Sequence, residues 1–476
     1  MHVSCINLIW LGVVSLYHGS GQEQGHLRFQ AVSPLRPEIR VEAEEQVYGF
    51  EPSNNGSGPM WALGNTCVVT QGDQVFVSGI QTLRNVQPLN NVRWILLQRR
   101  AQGWDQISQG KGRTREPCPL AVLGDRFLLL SDNPTLVLDQ GSGPAQPEVL
   151  FFRNPSRRST YRTRLPAWDG NPEFTEHSYR SFAADSKRGE FILFQNVGYT
   201  HAEWVLGKRR GQWLDQGRLV WPWESRYARA SRVRICYPTV ALRNSAVYFC
   251  GVSDIIEPRP DWRSFKKELT GQHWDYEFRR LFFTWSPNVT NQPFREWIEV
   301  SSREETCGWI LPCDLWVDRT GDVHLLWSER ALDERLRERY FPWARQRHAL
   351  KYCVLREGKI LHRISLCQSE EGLSEELPGR GRFHVTQQGR LYVLYHVAGK
   401  DHQGNVISEN RILEIGEDGH PGEAARVPFE DPFLSFYSNT WRAGCEPSDR
   451  LHLFGYQAKT ANTMSYGRVH ILQTNP

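Results

Sequence analysis

Two histidines bracket one short stretch of the chain, and imidazole is the side chain best suited to moving protons near neutral pH. Residues 177–201 read HSYRSFAADSKRGEFILFQNVGYTH, two strand-like runs joined by a turn at 186–189. In such a hairpin the residue opposite His177 is near Gly198, so we expect His177 and His201 at the same end, within a few residues of pairing. The two rings would then act on a ligand together, or each would simply cap a strand end. A metal ion between them is a further option, but two ligands do not make a metal site. We expect neither a metal nor a cofactor.

A basic and aromatic stretch follows at 221–237, with the sequence WPWESRYARASRVRICY. Guanidinium groups bind carboxylate and sulfate through two parallel hydrogen bonds, and Trp or Tyr faces stack on sugars. We therefore expect Arg234 and Trp223 to bind an anionic ligand, although a solvated basic loop would have the same composition. The formal net charge of the chain is only +4, which argues against nucleic acid as a partner.

The longest insertion, at 257–280, reads EPRPDWRSFKKELTGQHWDYEFRR. It mixes several carboxylates with Arg259 and Trp262, which we expect to contact substrate. Pairs of carboxylates hydrolyse glycosidic bonds only at defined separations, and the sequence does not supply those separations. Most of the 18 Trp residues of the chain are expected to pack between sheets rather than to bind sugar.

One pattern recurs along the whole chain: an apolar strand, a short turn with Gly, Asp or Asn, and a second strand. Two-residue alternation and the abundance of β-branched and aromatic residues indicate strands. A second strand pair lies between successive copies, so each unit supplies four strands, and a radial arrangement covers both faces of each sheet. The sequence predicts an all-β fold, a seven-bladed β-propeller of four-stranded antiparallel blades, with six blades as the alternative. The seven hairpins are CVVTQGDQVFVSG from 67, PLAVLGDRFLLLSD from 119, SFAADSKRGEFILFQN from 181, PTVALRNSAVYFCG from 238, CDLWVDRTGDVHLLW from 313, RFHVTQQGRLYVLYH from 382 and GCEPSDRLHLFGY from 444.

The two ends of the chain indicate how the ring closes. After the seventh hairpin only one strand remains, and residues 38–49 read as a strand without a partner. We expect this segment to complete the last blade and leave no open edge; the alternative is a frayed arm. The connections that emerge at one end of the channel, 430–441 among them, are long, and long loops on a rigid scaffold are where binding usually resides.

The chain begins MHVSCINLIWLGVVSLYHGSGQEQ, an apolar stretch ahead of small residues that is typical of a secretory signal. We predict a signal peptide at 1–22 and a single propeller domain at 23–476, monomeric and secreted or periplasmic. No later segment reaches the roughly 18 apolar residues that a membrane span needs. Cys236 and Cys250 flank a predicted hairpin turn and are candidates for a disulfide, with reduced core cysteines as the alternative.

Two resemblances add to this reading. The copies with an Asp-x-x-Gly turn, such as 318–321, resemble the BNR-repeat, sialidase-like propeller superfamily, but no copy carries the Ser and Thr-Trp positions of a sialidase Asp box. The local pattern is more similar to the secreted, ulvan-lyase-like polysaccharide lyases. In that branch one blade carries a His before strand A and another after strand B, like His177 and His201. The next blade has a Tyr-Pro entering strand A, like Tyr237-Pro238.

The ulvan-lyase resemblance implies β-elimination at a 4-linked uronate, with His177, His201 and Tyr237 as the catalytic residues. This reaction needs a base for the C5 proton, an acid near the leaving oxygen, and positive charge on the carboxylate. The Arg that such proteins carry at the end of strand B is replaced here by Cys250. The candidates to supply that positive charge are Arg180, Arg234 and Arg259.

Two functions therefore stay open. The first is a secreted enzyme that acts on a polysaccharide or oligosaccharide, most simply an anionic one, as a lyase or a glycosidase. The second is a propeller that binds glycan or protein at the same face without chemistry.

Overall fold

The described residues form a ring of seven sheets. The computed structural model describes residues 36–472 except 139, 156–159, 228, 274 and 402. Each sheet has four antiparallel strands, and the first strands of neighbouring sheets lie side by side around a central channel. Apolar side chains fill the space between adjacent sheets. The predicted seven-bladed propeller is confirmed, and the six-blade alternative is wrong.

Strands are labelled A to D from the channel outward in each blade. Blades 1 and 2 contain Val68–Gln71, Gln74–Thr82, Val92–Arg100 and Gly103–Gln109, then Leu120–Leu123, Phe127–Asp132, Glu148–Arg153 and Tyr161–Arg164. Blades 3 and 4 contain Arg180–Asp185, Glu190–Val197, His201–Lys208 and Trp213–Val220, then Ile235–Arg243, Ala246–Ser253, Arg280–Ser286 and Ile298–Ser302. Blades 5 and 6 contain Trp309–Val317, Val323–Arg330, Arg347–Arg356 and Lys359–Glu370, then Glu376–Val385, Leu391–Lys400, Val406–Ile415 and Ala425–Val427. Blade 7 contains Phe433–Ser438, Arg450–Gln457, Thr463–Leu472 and Glu38–Gly49.

Within the described residues, two helices and three short strand pairs lie outside the seven sheets. Helix α1 (Pro260–Thr270) lies between strands B and C of blade 4, and helix α2 (Glu334–Tyr340) lies at the same place in blade 5. No helix in the described part of the chain has the length and apolar character to cross a membrane. The short pairs are Pro144–Ala145 with Phe174–Thr175, Trp223–Glu224 with Ser231–Arg232, and Ile255–Ile256 with Tyr276–Glu277.

The N-terminal strand closes the ring, as predicted. Residues 38–49 pair with the C-terminal strand, with Ile39 opposite Ile471. Glu45 of the closing strand accepts hydrogen bonds from Arg99 (3.0 Å) and from the Trp104 indole (3.0 Å), both in blade 1. Because the first described strand completes the last blade, the two ends of the described chain close the ring in one four-stranded sheet.

The seventh hairpin was predicted in the wrong place. Its strand A is Phe433–Ser438, inside the stretch 430–441 that was taken for a connection, and its strand B is Arg450–Gln457. Residues 439–449 link them. This link contains glycine, proline and charged residues, so its sequence resembles a short turn. In the structure it enters the channel instead.

Two segments of the chain fill the channel. Near the mouth, the Asn65 amide donates to the Arg180 carbonyl (3.0 Å) and accepts from the Phe182 amide (2.9 Å). Deeper, the Val122 amide donates to the Ala443 carbonyl (2.8 Å). These two segments therefore close the channel below its mouth.

The hairpin of blade 4 shows how register sets side-chain positions. Its two-residue turn is Asn244 and Ser245, with φ of 51° and 64°, the left-handed values that such turns need. This turn sets the register, so that Cys250 lies opposite Thr239 instead of Cys236, and a bulge between Thr239 and Cys236 then places Cys236 opposite Val252. Cys236 and Cys250 are both buried free thiols, and the disulfide considered from the sequence is not formed.

Candidate functional site

Side chains from four parts of the chain meet at the mouth of the channel, where strand A of each blade begins. We call this group the mouth cluster. It comprises Trp61 from the segment that fills the channel, Arg115 and Glu116 from the connection between blades 1 and 2, His177 and Tyr179 from the segment entering blade 3, and Arg234 and Tyr237 at the start of blade 4.

His177 is held by a guanidinium group. Arg115 donates to its Nδ1 at 2.5 Å, and Arg115 is itself fixed by a hydrogen bond to the Asn55 carbonyl (3.1 Å). Burial, with the charges of Arg115 and Arg234, lowers the pKa of His177 to about 4. Because a guanidinium only donates, Nδ1 must carry the lone pair and the proton of the neutral ring is on Nε2. His177 therefore offers a ligand a hydrogen-bond donor rather than a base.

Tyr237 lies at the bulge in strand A of blade 4 with a φ of 48°, a left-handed conformation that non-glycine residues rarely adopt. Its ring packs against Trp61, Tyr179 and Phe278, with centroids 5.9, 5.1 and 5.6 Å away. Burial raises the pKa of Tyr237 well above its usual range, so its hydroxyl stays protonated. Strained residues of this kind concentrate at functional sites.

Arg234 brings a positive charge beside these rings. It pairs with Asp254 at 2.5 Å, and its guanidinium carbon lies 4.0 Å from the centroid of the Tyr199 ring and 5.7 Å from that of Tyr179. Tyr199 is about half exposed and its hydroxyl lies 2.6 Å from that of Tyr276. Arg234 Nε is buried and has no hydrogen-bond partner among the described residues. A buried donor left open beside exposed aromatic faces can receive an anionic sugar.

His201, the second histidine of the sequence hypothesis, has different neighbours. Its Nε2 donates to Glu203 (3.0 Å) and its Nδ1 accepts from the Thr200 hydroxyl (2.7 Å). Arg218 also donates to Glu203 (2.9 Å), and burial lowers the pKa of His201. Strand pairing explains the separation from Tyr179: His201 and Glu203 lie on one face of blade 3, whereas Tyr179, next to Asn196 in register, lies on the other.

Three further residues expected to bind substrate occupy different positions. Arg180 is buried and donates to the Pro117 carbonyl (2.8 Å), so it joins blade 3 to blade 2. Arg259 is exposed, 4.2 Å from the Trp262 ring, and Trp262 is only 4% exposed because Tyr340 and Phe341 cover it.

Trp223 and Cys250 complete the set singled out by sequence. Trp223 is 62% exposed, with the guanidinium of Arg232 5.8 Å from its ring, so its face is open to solvent. Cys250, at the position where the resemblance expects an arginine, is buried in the apolar core between blades 4 and 5. It has no access to a ligand at the mouth.

A group of buried charges lies behind helix α1. Glu257, Glu277 and Cys307 come close enough to hold a metal ion. The Lys266 ammonium occupies their centre, 2.9 Å from Glu257 Oε2 and 3.1 Å from Cys307 Sγ, and it also bonds Glu277. The positive charge that this group needs is thus supplied by the chain itself.

Sequence reasoning missed Arg115 and Glu116. They lie in the connection that leads into strand A of blade 2, which is equivalent to the segments that carry His177 and Arg234 in the next two blades. That equivalence was the available signal. A pocket lies at the opposite end of the channel, lined by Trp316, His384 and Trp441.

Of the comparisons with known proteins, only the one with solved structures found similar proteins. No protein-family profile matches the chain, and no curated protein matches its sequence. Similar structures include a protein of unknown function from Dyadobacter fermentans DSM 18053 (9% identity, TM-score 0.45, covering 91% of this chain and 99% of that one). The polysaccharide lyase Uly1 has 10% identity and a TM-score of 0.45, with 94% of this chain and 98% of that one covered. An α-L-arabinofuranosidase from Fusarium graminearum has 9% identity and a TM-score of 0.41, with 90% and 98% covered. Likeness at this level assigns no activity to the chain.

Proposed function

We propose that this protein binds an anionic polysaccharide at the mouth of the channel and cleaves it by β-elimination at a uronate residue. The observation that carries this proposal is the convergence of His177, Tyr237 and Arg234 in the mouth cluster. A neutral imidazole, a protonated phenol and guanidinium groups around one opening suit a negatively charged sugar. His201 has no part in this version of the site.

Positive charge at the mouth compensates for the arginine that Cys250 replaces. Arg115 and Arg234 lower the pKa of His177, which places their charges close to its ring. Arg380, from strand A of blade 6, is half-buried and near Tyr237, and it makes no hydrogen bond or ion pair with any residue in the described ranges. An unpaired guanidinium beside the ligand position is suited to a carboxylate.

The chemistry assigned to these groups is stabilisation of developing charge. Removing the C5 proton of a uronate moves negative charge onto its carboxylate, and donors aimed at that group lower the barrier. Arg234 and Arg380 would hold the carboxylate, while His177 Nε2 and the Tyr237 hydroxyl would donate hydrogen bonds. Tyr199 and Trp223 offer exposed aromatic faces for neighbouring sugars.

Binding without cleavage is the second candidate. The observations that favour it are that Cys250 is buried in the core and that His201 is bonded to Glu203, so neither of these two positions of the resemblance adds a charge or a base to the mouth cluster. The same surface would then recognise an acidic glycan without acting on it.

Secretion and a monomeric state stay predictions. The predicted signal peptide at 1–22 and the start of the domain at 23 lie outside the described residues.

Incubation of the purified protein with a panel of acidic polysaccharides tests the proposal. Elimination produces an unsaturated uronate that absorbs in the ultraviolet, whereas hydrolysis produces reducing ends without that absorbance. Ultraviolet-absorbing products from at least one uronate polymer are expected. Reducing ends without ultraviolet absorbance would show that the protein hydrolyses its substrate instead of eliminating. Binding without either product would establish the second candidate.

A further inference from the structure

Glu116 is the least explained residue of the mouth cluster. Its backbone is firmly held: the Arg115 carbonyl accepts from the Ser57 hydroxyl (2.7 Å), and the Pro117 carbonyl accepts from Arg180 (2.8 Å). Its side chain is 7% exposed, and its Oε1 is buried without any hydrogen-bond partner among the described residues. Buried carboxylates are normally paired, so one held in place without a partner calls for a function.

The charged side chains around Glu116 are bonded to other groups. Arg115 donates hydrogen bonds to His177 and to the Asn55 carbonyl, and Arg180 donates to the Pro117 carbonyl. Glu176 accepts from the Gly143 amide (3.0 Å) and repels the Glu116 carboxylate. Burial raises the pKa of Glu116 to about 7, while Arg180 and Arg115 oppose this and Glu176 adds to it. Burial is the main cause of the raised pKa of Tyr237, and the Glu116 charge adds to it, so the two groups lie within electrostatic range of each other.

We propose that Glu116 is the proton-transfer residue of the mouth cluster. This inference rests on the proposed β-elimination. The ionised carboxylate accepts the C5 proton, the electrons of the C5–H bond form the C4=C5 double bond, and the C4–O bond breaks with its electrons on the leaving oxygen. The protonated carboxyl then gives its proton to that oxygen, so no further acid is consumed.

Other groups of the cluster are less suited to this step. His177 uses its lone pair to accept from Arg115, and Tyr237 keeps its proton because its pKa is far above neutrality. Glu116 alone among the three combines a free lone pair with an ionisation near neutral pH, where proton transfer is most effective.

The same geometry predicts an effect on stability that needs no substrate. A carboxyl whose pKa is higher in the folded state than in the unfolded state stabilises the fold below its unfolded pKa, and this contribution is lost as the pH rises through about 7. The variant Glu116→Gln has no carboxyl to ionise at this position, so its stability does not fall in this way as the pH rises. Its melting temperature relative to wild type should therefore be higher at pH 8 than at pH 5.

The experiment compares wild type, Glu116→Gln and the control Glu173→Gln, an exposed carboxylate at the same rim. Melting temperatures are measured at pH 5 and pH 8, and initial rates of unsaturated-product formation on acidic polysaccharides are measured across neutral pH. The expected rate of wild type rises through about pH 7. The Gln variant should lose at least about 100-fold in rate without losing stability at pH 8, and the control should match wild type in both.

The possible outcomes separate the two proposals. If wild type cleaves nothing in the panel, the proposed elimination is refuted, and the role of Glu116 is refuted with it. An active wild type overturns the role of Glu116 alone if the Gln variant retains its rate or if the rate falls through pH 7. A Gln variant destabilised equally at both pH values shows that the carboxyl has a structural partner, which also overturns the inference.

Discussion

Replacing Lys266 by methionine should weaken the whole region behind helix α1. The Lys266 side chain is fully buried, and its ammonium lies within 3.2 Å of Asp275 as well as bonding Glu257 and Glu277. Methionine keeps the volume of the side chain but removes the charge that these carboxylates share. Burial and the nearby Glu257 charge raise the pKa of Glu277 to about 8, so at neutral pH the charge that loses the Lys266 ammonium is mainly that of Glu257.

The expected loss is about 3 to 5 kcal/mol in the free energy of unfolding at pH 7, the usual cost of removing one partner from a buried ion pair. This loss should shrink as the pH falls. With Lys266 present, Arg279 and Lys266 outweigh burial and hold the pKa of Glu257 at about 2. Without Lys266 only Arg279 still lowers the pKa of Glu257 against burial, so this pKa rises, and a falling pH removes more charge from the variant than from wild type.

Urea denaturation at pH 7 and pH 5 measures both effects, and hydrogen exchange of Pro260–Thr270 locates them. Lys267→Met is the matched control, because Lys267 is the exposed neighbour on the same helix. Its effect should stay below about 1 kcal/mol. A Lys266→Met variant as stable as wild type, or one whose loss does not change between the two pH values, would show that the ammonium does not compensate these carboxylates.

Three further predictions concern the site and the ring. His177→Ala should weaken binding of an acidic oligosaccharide about 10- to 100-fold by calorimetry, the worth of one hydrogen bond to a charged group. His201→Ala should change it less than about twofold because its bonds are to Thr200 and Glu203; equal losses would contradict the site. Cys250→Arg should not restore a charge at the mouth but should lower stability by more than about 3 kcal/mol in chemical denaturation, since it buries a charge in the core. Full stability would contradict that placement. Deleting residues 36–49 should open blade 7 and cause aggregation in gel filtration, and a monodisperse, folded product would show that closure is dispensable.

The sequence predicts the propeller because its signals are local. Strand alternation and tight turns between strands A and B recur in blades 1 to 6, and the turn at Asn244 and Ser245 lies one residue from the turn that the sequence pattern predicts at 243–244. Ring closure was predictable too, because a lone strand at each end of the chain has one simple partner. Blade 7 was mispositioned because residues 439–449 run through the channel, and their bonds to the Ala184 and Val122 strands are contacts between distant parts of the chain.

The site was less predictable because it depends on side-chain direction and burial. Arg234 and Tyr237 could be singled out from charge, aromaticity and resemblance. The pairing of Arg115 with His177 joins two blades and leaves no local signal. The position of Glu116 in a connection before strand A was its one signal, because a buried carboxylate without a partner among the described residues looks in the sequence like any exposed glutamate.

A crystal structure of the protein with a bound uronate oligosaccharide tests the location of the site most directly. A sugar carboxylate is expected at the mouth, about 3 Å from the Arg234 or Arg380 guanidinium and beside the Tyr237 ring. An ordered sugar elsewhere on the propeller, with the mouth cluster unchanged and free of ligand, would contradict the proposed function.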